Sequence, residues 1–330
     1  MNNTRNFKLF TSQDVEPWIA SNAKRILNIV EKTYLQFSQE IARNPDSYFL
    51  RFPDSSINRI IALPAHIDDS QPIAGIKWIS SFPANVNNGL NRASSAIILN
   101  DRVTGYPIAC LEGSQISSSR TAASATVGVK YLHKGLEIKC LGVIGTGLIS
   151  LETVQFLINV GYRIDEIKVH DRDKSRAEDF REKVESIVSK VSVKIASLED
   201  TIKESDLILF ATSAVEPYVD DMALFRHNPT VLHMSLRDLA TNIIKNSYNF
   251  SDDIDHSIKA GSSLHLTEME TGNRNFMVSG AEGLIKETIE IKYNKPRIFS
   301  PFGMGVLDLA VAREIYKDIT PSFSTDHFNP

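Results

Sequence analysis

LGVIGTGLIS, Leu141 to Ser150, decides how the rest of this 330-residue chain is read. The run CLGVI that enters the turn is apolar, β-branched and of strand length. LETVQFLINV, which leaves it, repeats apolar residues at helical spacing, so the stretch is a strand-turn-helix unit. Gly145 and Gly147 fill the first two positions of G-x-G-x-x-G, where glycine permits a tight turn and lets backbone approach a pyrophosphate at a helix N-terminus. Ser150 stands at the third position, so the fingerprint is incomplete and its surroundings must decide.

Downstream, EIKVHD is followed by the helical DKSRAEDFREKVESIV, VSVKIA by SLEDTIKES, and DLILFAT by a short helix near DDMALF, before TVLHMS closes the series. Strands alternating with helices predict an α/β fold with a Rossmann-type, doubly wound parallel sheet. In that fold an acidic residue ending the second strand takes the ribose hydroxyls, and Asp171 ends EIKVHD. A carboxylate there repels a 2′-phosphate and favours NAD over NADP. Arg172, Lys174 and Arg176 follow and would instead accommodate that phosphate, and a helix N-cap is the alternative use of Asp171. Thr212, after DLILFA, lies where loops of this fold meet the cofactor, with a helix cap as its alternative. The turn residues Thr146 and Leu148 join Gly145 and Gly147 as expected cofactor contacts.

Before the Rossmann texture, Ile26, Ile29, Val30, Tyr34, Phe37 and Ile41 recur at three- and four-residue intervals, one apolar face of a helix. NRIIALPAHI, PIAGIKWISSF, SSAIILND and PIACLEG then read as strands of a meander punctuated by Pro, Gly, Asn and Asp. GSQISSSRTAASATVGVKYL is dense in small residues, which allow close helix packing or a ligand against the backbone. SPFGMGVLDLAVAREIYKDI reads as a glycine-rich turn and a helix that returns to the first domain. The expected organisation is therefore an α+β substrate-binding and dimerisation domain of residues 1–122 and 301–330 around a Rossmann domain of residues 123–300.

Composition narrows the function classes. A net charge of -4 and a pI near 6.1 leave no electrostatic footprint for nucleic acid. The two cysteines, Cys110 and Cys140, lie in apolar runs, which argues against a disulfide framework and against a zinc site. No stretch approaches eighteen apolar residues and the N-terminus lacks a signal-peptide pattern, so a cytoplasmic protein without a membrane partner is expected.

Three charged residues stand out. Lys77 sits in the apolar strand AGIKWIS, where burial would lower its pKa and suit it to proton transfer; an edge-strand lysine is the alternative. Arg120 is the lone charge of SSSRTAA and would clamp a carboxylate, unless it lies on a helix surface. Asp238 in SLRDLA follows a strand of the Rossmann series, where loops face the ligand crevice; a cap or a partner for Arg237 is its other use.

In order, GIKWIS, SSRTAA, VIGTGLIS, SLRDLA and SPFGMGVLDLAVA resemble the ornithine cyclodeaminase/mu-crystallin family over nearly the whole chain. The resemblance implies a homodimer built through the non-Rossmann domain, NAD between the domains, and a small amino acid substrate. It implies catalytic roles for Lys77 and Asp238, substrate-binding roles for Arg51 and Arg120, and a cofactor contact at Met304. Arg59, close to Arg51 in sequence, is an alternative to it, and Arg59, Arg92 and His66 are candidates for further carboxylates. The leading expectation is NAD-dependent oxidation of a secondary amine bearing three carboxylates. Asp238 would accept the amine proton, and the ketimine would be hydrolysed to 2-oxoglutarate and 2,3-diaminopropionate. Ornithine cyclodeamination, alanine dehydrogenation, ketimine reduction and ligand binding without turnover are the alternatives.

Overall fold

The computed structural model describes residues 7–188 and 191–325, and the chain divides into one unit that ends at Arg120 and resumes at Met304, and a second, Thr121–Gly303. The first unit contains β1 (Phe7–Phe10), α1 (Ser12–Ser21), α2 (Ala23–Ser38), β2 (Ala42–Arg43), β3 (Tyr48–Phe52), β4 (Ser55–Ile67), β5 (Ile73–Ser81), β6 (Ala93–Asp101) and β7 (Pro107–Glu112). The division falls within α3 (Ser114–Leu132). In the second unit follow β8 (Glu137–Ile144), α4 (Leu148–Val160), β9 (Arg163–His170), α5 (Lys174–Ile187), β10 (Ser192–Ile195), α6 (Leu198–Lys203), β11 (Leu207–Phe210) and β12 (Thr230–His233). Next come α7 (Thr241–Lys245), β13 (Tyr248–Ser251), α8 (Ile254–Ser257), α9 (Ser263–Thr271), β14 (Met277–Gly280), α10 (Ala281–Ile285) and β15 (Arg297–Phe299). The first unit closes with α11 (Gly305–Asp318) and β16 (Phe323–Thr325).

Every strand pair of the second sheet is parallel, in the order β10-β9-β8-β11-β12-β15-β13-β14. β8 lies between β9 and β11, so successive crossovers leave it in opposite directions, the topological switch point where this fold class binds ligands. Its Leu141, Val143 and Ile144 are buried, the continuous apolar run that a strand covered on both faces requires. The five strands read from sequence are the first five of this sheet. β13, β14 and β15 carry it further.

The first sheet has the order β16-β1-β7-β6-β5-β4-β2, with β3 pairing β4, and β4 through β7 form an antiparallel meander. α2 turns Ile26, Val30 and Tyr34 into the core, each fully buried aliphatic side chain being worth about 1.5–3 kcal/mol. The helix ends at Ser38, and Ile41 belongs to the turn before β2 rather than to the helix. α11 packs on α2, β4, β5 and β6. Its approach depends on the absence of side chains: a Cβ on Gly305 would lie 2.7 Å from Leu63 Cβ, and one on Gly75 would lie 2.6 Å from Leu309 Cδ1. That close seat fixes what the next turn of α11 can reach.

Candidate active site

Leu63 pairs directly with Lys77 across β4 and β5, so the tight contact at Gly305 brings Asp308, one helical turn later, to the lysine. Lys77 Nζ donates to Asp308 Oδ2 at 2.7 Å and to Ser117 Oγ at 3.2 Å. Arg120 Nε lies 3.1 Å from the same Asp308 oxygen. The Lys77 side chain is 3% exposed and Asp308 is sealed from water. Lys77 is flanked by β4 and β6 in the middle of the sheet, and Arg120 is buried, which excludes the edge-strand and helix-surface alternatives. α3 presents Ser117 and Arg120 together because its first turn is anchored by Glu112, whose carboxylate accepts from the amides of Ser114 at 2.7 Å and Gln115 at 3.1 Å.

Burial and the Arg120 charge outweigh the attraction of Asp308 and draw the Lys77 pKa down to about 8. Burial alone would raise the Asp308 carboxyl, but the two cations hold it below the usual range. Asp308 escaped the sequence reading although its signal matches that of Lys77: a single charge inside an apolar run, GVLDLAVA.

The remaining predicted cations divide by strand register. Arg51 pairs with Arg59 across β3 and β4, and Arg59 pairs with Ser81 on β5. Ser81 is four residues from Lys77, so Arg51, Arg59 and Lys77 share one face of the sheet, about 13 Å separating the Lys77 and Ser81 positions. Arg92 Nη1 donates to Ser81 Oγ at 2.8 Å and joins this end of the face. Like charges directly opposite on paired strands are unfavourable unless compensated. His66 is a correction: it pairs with Ala74, an odd number of residues from Lys77, so it points to the opposite face and stands 3.3 Å from Asp68 instead.

In the second unit the glycine turn is built for close approach. Gly145 has φ +88°, and a Cβ there would lie 2.6 Å from the Ala211 carbonyl oxygen, whereas a Cβ on Gly147 would meet nothing within 4 Å. Ser150 is buried, and its hydroxyl donates to the Gly145 carbonyl, so the missing third glycine is replaced by a bond that ties helix to turn. No side chain caps α4, and Leu148 at its start is half exposed. Open space beside Gly147 and an uncapped helix N-terminus fit an anionic group such as a dinucleotide pyrophosphate.

Asp171 accepts from the Thr146 amide at 2.9 Å and hydroxyl at 2.7 Å, and from the Asp173 amide at 3.0 Å. Despite half-burial, which opposes it, these bonds keep the carboxyl below its ordinary range. The α5 cap is Asp173, not Asp171, which leaves Asp171 tied to the glycine turn with Arg172 and Arg176 exposed beside it. Met304 is buried at the N-cap of α11 in the first unit.

Asp238 is fully buried and accepts three side-chain bonds, from the Thr212 and Ser235 hydroxyls and from Tyr218 Oη at 3.0 Å; its own amide donates to His233 Nε2 at 3.1 Å, and that nitrogen lies 3.2 Å from Oδ2. His233 Nδ1 lies 3.2 Å from Ser300 Oγ, which ties the ring to β15's end of the sheet. Burial raises the carboxyl, yet His233, Ser235 and Thr212 together pull it below the usual range. Two expectations change. A carboxylate that already accepts from three hydroxyls is a poor proton acceptor, because protonation would strand a donor. Thr212 spends its hydroxyl hydrogen on Asp238 and is neither a helix cap nor a free cofactor donor. Arg237 bonds the Ala260 carbonyl, so it does not partner Asp238. Sequence reading missed His233, Tyr218 and Ser235; the histidine inside the apolar strand TVLHM was the available signal.

Among the described residues no helix is long and apolar enough to cross a membrane, and no group of three or more His, Cys, Asp or Glu is placed to hold a metal.

The sequence profile of the ornithine cyclodeaminase/mu-crystallin family matches residues 8–228. The chain is 33% identical over 165 residues to the N-((2S)-2-amino-2-carboxyethyl)-L-glutamate dehydrogenase of Staphylococcus aureus, a match spanning 49% of each protein. It is 25% identical over 322 residues, 94% of each chain, to the alanine dehydrogenase of Archaeoglobus fulgidus. The Thermococcus litoralis Δ1-pyrroline-2-carboxylate reductase, solved in complex with NADH and L-proline, shares the fold with a TM-score of 0.85 at 22% identity, covering 94% of this chain and 96% of that one.

Proposed function

The chain belongs to the ornithine cyclodeaminase/mu-crystallin family, and from that premise we propose that it is an NAD-dependent amino acid dehydrogenase acting on a CH–NH bond. Its substrate in this reading is N-(2-amino-2-carboxyethyl)-L-glutamate, oxidised at the α-carbon of the glutamate half. Water then splits the ketimine into 2-oxoglutarate and 2,3-diaminopropionate. Bound at the glycine turn, NAD supplies the hydride acceptor.

The observation that carries the substrate is the cationic face of the first sheet. β3, β4 and β5 contain Arg51, Arg59 and Lys77 but no carboxylate, and Arg92 adds to the same end. A tricarboxylate suits such a face. The distal ammonium of ornithine would need an acid there. Arg120 holds the carboxylate nearest the reacting carbon, and the arginines around Ser81 take the distal ones. With a pKa drawn to about 8, Lys77 exchanges protons near neutrality and takes the amine proton. Asp238 remains ionised, a fixed negative charge that stabilises the developing iminium.

Asp171 sets the cofactor preference: NAD is expected to bind at least tenfold more tightly than NADP, about 1.4 kcal/mol. Asp171→Ser should narrow the gap. Equal affinities for the wild-type protein in a fluorescence titration would transfer control of the site to Arg172 or Arg176.

A homodimer through the first sheet is supported by its other face, where Tyr48 is 78%, Leu50 44% and Trp78 43% exposed. Large apolar side chains gathered on one sheet face are uncommon on a monomer's surface. Sedimentation should show a dimer, and Trp78→Glu should shift it to monomer; a wild-type monomer would dismiss the interface. Turnover itself is tested by NADH formation on a panel of substrates. The tricarboxylate amine should be oxidised in preference to alanine, and proline released from ornithine without NADH would establish cyclodeamination instead.

A further inference from the structure

Two cations and one carboxylate meet in the first unit with almost no access to water: Lys77, Arg120 and Asp308. Around the amine, β4 contributes Leu63 and β6 contributes Ile97 in direct register. α3 contributes Ser117 and Arg120, and α11 contributes Asp308. Among the described residues, Asp308 is therefore the anion that faces the amine. Asp308 Oδ2 serves both cations, while Oδ1 is buried without a hydrogen-bond partner. A buried carboxylate with an unsatisfied oxygen is costly and is retained only where its charge is used.

We propose that Asp308 is the positioning residue of this site: by bridging Lys77 and Arg120 it aims the amine and offsets the Arg120 charge beside it. The inference rests on the proposed dehydrogenase reading for its substrate, but the placement of Asp308 beside Lys77 does not. Without Asp308, two buried cations would repel each other, and the lysine, unlike arginine, can relieve that repulsion by releasing its proton. With Asp308 in place the amine keeps a proton that it can still surrender near neutral pH. The seat of α11 on Gly75 and Gly305 supplies the rigidity that this geometry demands.

The test is a titration of the Lys77 side-chain nitrogen by NMR on the full-length protein labelled with 15N-lysine, the resonance assigned by its loss in Lys77→Arg. This readout needs no turnover, so failure of the inference is separable from failure of the dehydrogenase assignment. Lys77 should titrate near pH 8 in the wild type and at least one pH unit lower, tenfold in its dissociation constant, in Asp308→Asn. Arg120→Gln, which removes the competing cation, should move the titration upward and serves if Asp308→Asn does not fold. In kinetics, the acid limb of kcat/KM should follow the same displacement. A Lys77 titration that stays at its wild-type pH in whichever variant folds overturns the proposal.

Discussion

Lys77→Met is expected to lower kcat by roughly 10²-fold or more, the scale on which a positioned acid or base acts. Methionine keeps a long apolar stem in the strand and removes the amine, while Asp308 retains Arg120 at 3.1 Å, so the variant keeps an ion pair at this position. The wild-type kcat/KM should fall as pH drops through about 8, because the amine accepts a proton only in its neutral form. In Lys77→Met that limb should vanish. Near-normal turnover, or an unchanged limb, would remove Lys77 from the chemistry. A large loss of thermal stability with kcat preserved would make it a structural residue.

Asp238→Asn should reduce kcat by roughly 10²- to 10³-fold, with KM and NAD affinity little changed. The carboxylate receives the hydroxyls of Thr212, Ser235 and Tyr218. An amide of the same shape cannot accept from all three and carries no charge to balance a developing iminium. Because stranded donors cost about 1–3 kcal/mol each, the melting temperature should fall as well. The informative quantity is therefore the split between kcat and stability: a lower melting temperature with kcat within a few-fold of wild type would confine Asp238 to packing. The phenol of Tyr218, pushed up in pKa by burial and by the Asp238 charge, stays protonated throughout and remains a donor to it.

The Rossmann half was legible because each of its first strands is a short apolar run closed by a polar residue, and LGVIGTGLIS marks the point from which counting begins. YNFS, MVSG and RIF were not legible. Three or four residues of mixed polarity have no period, and only the parallel neighbours of β13, β14 and β15 make them strands.

At the site, residue type was more readable than direction. Lys77 and Arg120 declared themselves as charges in apolar or small-residue surroundings, and Asp308 would have done so under the same test. His66 was misplaced because facing is set by register: only the pairing of Leu63 with Lys77 shows that His66 lies on the other side. Asp238 was found by its position after a strand, but its role follows from three hydroxyl donors contributed by residues 212 to 235, which no spacing in the sequence brings together.

The central claim, oxidation at the α-carbon of the glutamate half of a tricarboxylate amine, is tested most directly with substrate carrying deuterium at that carbon. Mass spectrometry of the nicotinamide after turnover should show one deuterium in each NADH formed, with 2-oxoglutarate released in equal amount. NADH without deuterium, or 2-oxoglutarate released without NADH, would contradict it.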